Sequence, residues 1–98
     1  MGDPKDVEFI TGYLHSDYIT VRVAAVEALG NIGGSQVLEY LIPALKDESS
    51  SVRQAAVEAL GQQGYILALE PLKQALNGED NYVRESAKEA IRKLRQRE

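Results

Sequence analysis

A ten-residue stretch, Val21-Arg22-Val23-Ala24-Ala25-Val26-Glu27-Ala28-Leu29-Gly30, returns almost unchanged 31 residues later as Val52-Arg53-Gln54-Ala55-Ala56-Val57-Glu58-Ala59-Leu60-Gly61. A worn third copy follows at the same interval, from Val83-Arg84-Glu85 to Ala90-Ile91-Arg92. Self-similarity at a fixed period of this size marks a chain of stacked supersecondary units, each too small to bury its own apolar face. The register holds outside the motif too: Val7, Leu38 and Leu69 align, as do Ile10, Leu41 and Leu72, and Leu14, Leu45 and Leu76.

Within each period the apolar spacing is helical, and turn residues divide it in two. Asp3-Pro4 opens a helix expected over 4–15, with Asp3 as cap and Pro4 at the first helical position. Further helices are expected over 19–31, 35–45, 51–62, 66–76 and 82–97. Gly33-Gly34 and Gly64 end the second and fourth, and Ser35 caps the third. A bend is expected at Pro43, and Pro71 falls in or near a first turn. The second helix is apolar over a wider arc than one partner could cover, as a helix packed on its own hairpin and on a neighbour must be. The fold class is therefore all-α: a solenoid of three helical hairpins, in one domain spanning 1–98, with repeats at about 3–33, 34–64 and 65–98.

These residues resemble the short HEAT-like repeats known from phycobilin lyases and many small archaeal and bacterial proteins, and the resemblance implies that the solenoid is right-handed. The family pattern V-R-x-A-A-x-x-A-L-G stands here as Val52 to Gly61, preceded by Leu38, Leu41, Ala44, Leu45, Lys46, Asp47 and Glu48. Artificial consensus HEAT-like proteins look similar, but Pro43, Gln62-Gln63 and the divergent third copy favour a natural sequence. The third copy carries Lys88 where Val26 and Val57 stand, Arg92 in place of Gly30 and Gly61, and Arg95 in place of Gly64. With Arg84 these form a charged stripe on the face that would receive a fourth repeat, the polar cap that the end of a solenoid needs. The chain is expected to end there. Phe9, Tyr13 and Val23 of the first repeat either cap the core or form a dimer face.

Composition narrows the function. There is no cysteine and a single histidine, His15, at an expected helix end, where a structural or neutral role is the simpler account. HEAT-like hydroxylases that hold a di-iron centre use repeated His-Glu pairs, whereas His15 is followed by Ser16. No metal and no cofactor are expected, and no catalytic residue emerges. Repeat homology supplies no bilin site, so lyase activity is not expected. Arg22, Arg53 and Arg84 recur five residues after Asp17, Glu48 and Glu79, within reach of turn carboxylates and carbonyls of their own or the adjacent repeat, and resemble the family's structural Asp/Arg ladder. The Gly-x-x-Gly pairs lack the strand before and the Lys-Ser/Thr after that a phosphate loop requires. No membrane-length apolar run and no signal peptide are present, so a cytoplasmic protein is expected.

Net charge is −4, unevenly spread: residues 1–80 carry 5 Lys/Arg against 12 Asp/Glu, and residues 81–98 carry 6 against 3. HEAT-like DNA glycosylases line their concave surface with cations, and the matching surface here is acidic, so nucleic acid is an unfavoured partner. The basic end Arg92-Lys93-Arg95-Arg97 is the one counter-signal, and cations at a helix C-terminus account for it. In solenoids of this kind the second helices line the concave side. Their registers read Thr20/Ser51/Tyr82, Val23/Gln54/Glu85, Glu27/Glu58/Glu89 and Asn31/Gln62/Lys93. The expected function is a non-enzymatic interaction module that binds a protein or peptide, with a basic segment, across these twelve residues. Tyr82 is the aromatic anchor. The alternatives are an accessory or regulatory subunit of an enzyme, possibly a bilin- or tetrapyrrole-related one, and weak nucleic-acid association through the basic end.

Overall fold

In a computed structural model, which describes residues 4–63, 68–78 and 80–96, six α-helices follow one another: α1 (Pro4–Thr11), α2 (Ile19–Ile32), α3 (Leu38–Ala44), α4 (Ser50–Gln63), α5 (Leu69–Ala75) and α6 (Asn81–Gln96). No strand occurs among the described residues. The helices pair as three hairpins, and the second helices stack directly, α2 on α4 and α4 on α6. The result is a helical solenoid in slab form, 31 × 28 × 14 Å. Among the described residues no helix is long and apolar enough to cross a membrane.

One apolar core runs through the slab. Val26, Leu29, Leu41, Val57, Leu60, Leu72 and Leu94 are fully buried in it, and aligned positions of successive repeats fill aligned places, as Leu29, Leu60 and Ile91 do. Stacking is closest at the glycines of the motif. A Cβ placed on Gly30 would come within 2.9 Å of Ala59 Cβ, and one on Gly61 within 2.8 Å of Ala90 Cβ and 3.2 Å of its Cα. Real Cβ contacts are not that short, so any side chain there would force adjacent second helices apart.

Several helix ends differ from the sequence expectation. The first helix is α only to Thr11 and tightens into a 3₁₀ turn over Gly12–His15, where glycine weakens the α-helix. Ser35 does not cap by its side chain; it begins a 3₁₀ turn, Ser35–Val37, that leads into α3. Pro43 lies one residue from the end of α3, and α5 ends at the matching residue, Ala75, with no proline there. The repeat, rather than Pro43, sets that end. Gly33 and Gly34 terminate α2 with φ of 72° and 88°, a region open to glycine, and Gly33 N–H donates to Leu29 O. Asp3 and Gly64, expected at other helix ends, lie outside the described residues, as do 66, 67 and 97.

The arginine ladder ties the turns together. Arg22, Arg53 and Arg84 each donate from Nη1 to the carbonyl six residues earlier, of Ser16, Asp47 and Gly78, at 2.6, 2.7 and 2.6 Å. For Arg22 and Arg53 it is the adjacent repeat that supplies the acidic partner. Arg22, which is buried, grips Asp47 of the next repeat through Nε (3.1 Å) and Nη2 (3.3 Å), with Glu48 at 4.0 Å, and Arg53 lies 3.6 Å from Asp80. Each of these bonds spans a repeat junction. Arg84, at the far end, turns instead to the Asn81 side chain, and Glu79 lies outside the described residues.

Candidate functional site

The open face of α2, α4 and α6 carries two grooves that adjoin along Glu58 and Gln62. The first, of about 340 Å³, is lined by Glu27, Asn31, Ala55, Glu58, Ala59 and Gln62. The second, of about 410 Å³, is lined by Glu58, Gly61, Gln62, Glu85, Ser86, Glu89, Ala90 and Lys93. Each follows from the stacking: the Gly–Ala contacts draw the helices together, and long polar side chains on either side rise around a floor of small residues.

Of the twelve residues expected to bind a partner, the structure brings together seven: Glu27, Asn31, Glu58, Gln62, Glu85, Glu89 and Lys93 line the grooves and are exposed. Thr20, Ser51 and Tyr82 are exposed near the helix starts and line neither groove, with Tyr82 76% accessible. Val23 is half-buried against the core and Gln54 is half-buried, so this pair offers little open surface. Ser86, which is not among those twelve, also lines the second groove. It shares a register position with Ala24 and Ala55, and a run of small residues there was the signal that this position forms a groove floor.

The carboxylates are not equivalent. Glu89 accepts from Arg92 Nε at 3.1 Å, and this hydrogen bond, with the Arg92 charge and that of Lys93, holds its carboxyl below the usual range; Arg92 is raised in return. Glu85 pairs with Lys88 at 2.9 Å. Such exposed pairs one turn apart are weak and exchangeable. Glu27 and Glu58, facing the first groove, make no ion pair among those described. A cationic side chain laid along this face meets carboxylates from all three second helices.

His15 is exposed beside a third, smaller groove lined by Leu14, Tyr40, Pro43, Ala44, Lys46, Asp47 and Val52. Among the described residues no group of three or more His, Cys, Asp or Glu is placed to hold a metal ion. A donor set with one histidine does not fit a di-iron centre.

The chain matches the family model described as HEAT repeats over residues 2–92. Among solved structures it is similar to human deoxyhypusine hydroxylase, solved in complex with glycerol, with 28% identity and a TM-score of 0.91 over 97% of this chain. The chain spans 34% of that structure's length. No curated protein matches by sequence. The similarity corrects one expectation: the sequence suggested that the chain is not an enzyme, and a protein of nearly the same fold and 28% identity is one. Proteins built of these repeats generally mediate protein interaction, and with the 31-residue register continuous through three hairpins and the family match over 2–92, the chain belongs to the HEAT-repeat family.

Proposed function

We propose that the open face of α2, α4 and α6 binds a protein or peptide through a segment rich in lysine and arginine. The observation that carries this reading is the pair of adjoining grooves with Glu27, Glu58, Glu85 and Glu89 on their walls and Ala55, Ala59 and Ala90 on their floors. Like charges gathered on one surface repel in the free protein and are relieved by a cationic partner. Tyr82, exposed at the start of α6, supplies a rigid amphipathic ring at one end of the face.

A second reading has one observation in its favour. A protein that shares this architecture and is about three times as long is an enzyme, so the chain also suits an accessory or regulatory role beside a catalytic chain, which would then be the partner that brings the basic segment. Titration of a Lys/Arg-rich peptide, with an acidic peptide as control, tests the face itself. Changing Glu27, Glu58 and Glu89 together to Gln should leave the helical circular dichroism intact, weaken binding about tenfold or more, and flatten its salt dependence. Tyr82→Ala should weaken binding without altering the salt dependence. Equal binding by wild type and both variants would overturn the proposal.

A further inference from the structure

The first and last repeats described carry exposed surfaces of opposite character. At the first repeat Phe9 and Tyr13 stand together, ring centroids 5.7 Å apart and edge to face, yet 72% and 48% exposed, with Glu8 beside them. At the last repeat a groove of about 650 Å³ opens between α5 and α6. Its floor is Leu76 and Ile91, and its rim is Lys73, Lys88, Arg92 and Arg95.

The repeat register relates these two surfaces. At the inner junction between the second and third hairpins, Ile42, Leu45 and Lys46 of one repeat face Glu70, Pro71, Gln74 and Ala75 of the next across a shared groove. Moving one period forward from Ile42 and Leu45 gives Lys73 and Leu76, which belong to the open groove at the last repeat. Moving two periods back from Glu70, Pro71 and Ala75 gives Glu8, Phe9 and Tyr13. The aromatic pair thus occupies the positions by which a repeat packs onto the one before it, and the open groove is the surface that would receive them.

The second helices cannot repeat the inner contact. Gly30 and Gly61 admit Ala59 and Ala90 only because they lack a side chain, and α6 carries Arg92 at that place. A neighbour there must stand off from α6. Phe9 and Tyr13 are far larger than Pro71 and Ala75, so they span a wider gap from the side of the first helices. The rim cations then lie over aromatic rings, a favourable pairing, and Glu8 meets them as a counter-charge.

We propose that a second copy of this chain docks head to tail, its Phe9 and Tyr13 seated in the groove between α5 and α6. The interface joins unlike surfaces, so it propagates into chains of molecules instead of closing a symmetric dimer. Blocking each end in turn tests it. Phe9→Lys with Tyr13→Lys spoils the aromatic end, and Lys88→Glu with Arg95→Glu spoils the groove; all four side chains are exposed, and unchanged circular dichroism verifies folding. By sedimentation, the mean mass of the wild type should rise with concentration and fall on adding salt. Each blocked variant alone should be monomeric, and an equimolar mixture of the two should give a dimer and nothing larger. Self-association of the variant with an intact aromatic end would mean a symmetric contact and overturn the proposal. So would a mixture that stays monomeric, or a wild type monomeric at every concentration, which would leave the two ends to a different protein.

Discussion

Helices α4 and α6 carry the same motif, yet α4 spreads its apolar residues around its circumference and α6 confines them to one side. In α4, Val57 and Gly61 are buried because a helix stacks on each flank. In α6 the matching residues are Lys88 and Arg92, whose side chains are 64% and 57% exposed. One register position is a packing contact or a charged surface according to whether a neighbour covers it. The ladder shows the same contrast: Arg22 is buried and bound to a carboxylate of the next repeat, whereas the bonds of Arg84 among the described residues stay within its own repeat.

The sharpest way to break this comparison is to put the same side chain at both places. Gly61→Val drives a branched group into the Ala90 backbone and should cost about 3 kcal/mol. Arg92→Val faces solvent and should stay within about 0.5 kcal/mol of wild type. Urea denaturation of the two variants reads the difference, and equal losses would mean that the outer side of α6 is as tightly packed as the inner junctions.

A smaller contrast is expected in the ladder. Arg22→Ala leaves the Asp47 carboxylate, whose side chain is only 16% exposed, without its paired cation, and should cost about 2 kcal/mol. Arg84→Ala removes exposed contacts and should cost less than about 1 kcal/mol. If thermal melts rank these the other way, the junction-spanning bond is not what distinguishes the inner turn.

The smallest effect concerns pH. Asp80 caps α6, accepting from Tyr82 and Val83 N–H at 2.9 and 3.2 Å. The Val83 hydrogen bond first, then the Ser50 side chain, the Tyr82 N–H and the Arg53 charge, hold its carboxyl below the ordinary value of 3.8. Because the folded-state value is the lower one, the contribution to stability is complete above the ordinary value and disappears as pH falls through the folded one. Asp80→Asn keeps a capping oxygen and loses the charge, so acid titration of its stability should be shallower below about pH 4. A slope identical to wild type would remove Asp80 from the acid response.

The period, the hairpins and the glycine contacts were legible in the sequence because repetition averages over local noise: Gly30 and Gly61 stood out by recurring where the third copy has Arg92. Choices between a residue's own repeat and the adjacent one were not. Arg22 lies five residues from Asp17, but its carboxylate is Asp47, 25 residues ahead, and only the stacking brings it near. Val23 sits on the same stripe as Gln54 and Glu85 by spacing, yet it is half-buried against the core, whereas Glu85 is exposed. Seven of the twelve expected contact residues meet in the grooves because the stacking axis carries 31-residue neighbours side by side. Tyr82, Thr20 and Ser51 share that register at the helix starts, beyond the groove walls.

The stacked second helices are proposed to present one carboxylate-lined binding face. Amide chemical-shift mapping during titration of a Lys/Arg-rich peptide tests it residue by residue. Shifts are expected in the groove-lining stretches of α2, α4 and α6, centred on Glu58 and Gln62, and at Tyr82, with about tenfold more peptide needed when Glu27, Glu58 and Glu89 become Gln. Shifts centred on α1, α3 and α5, or a titration unchanged in the triple variant, would rule this face out.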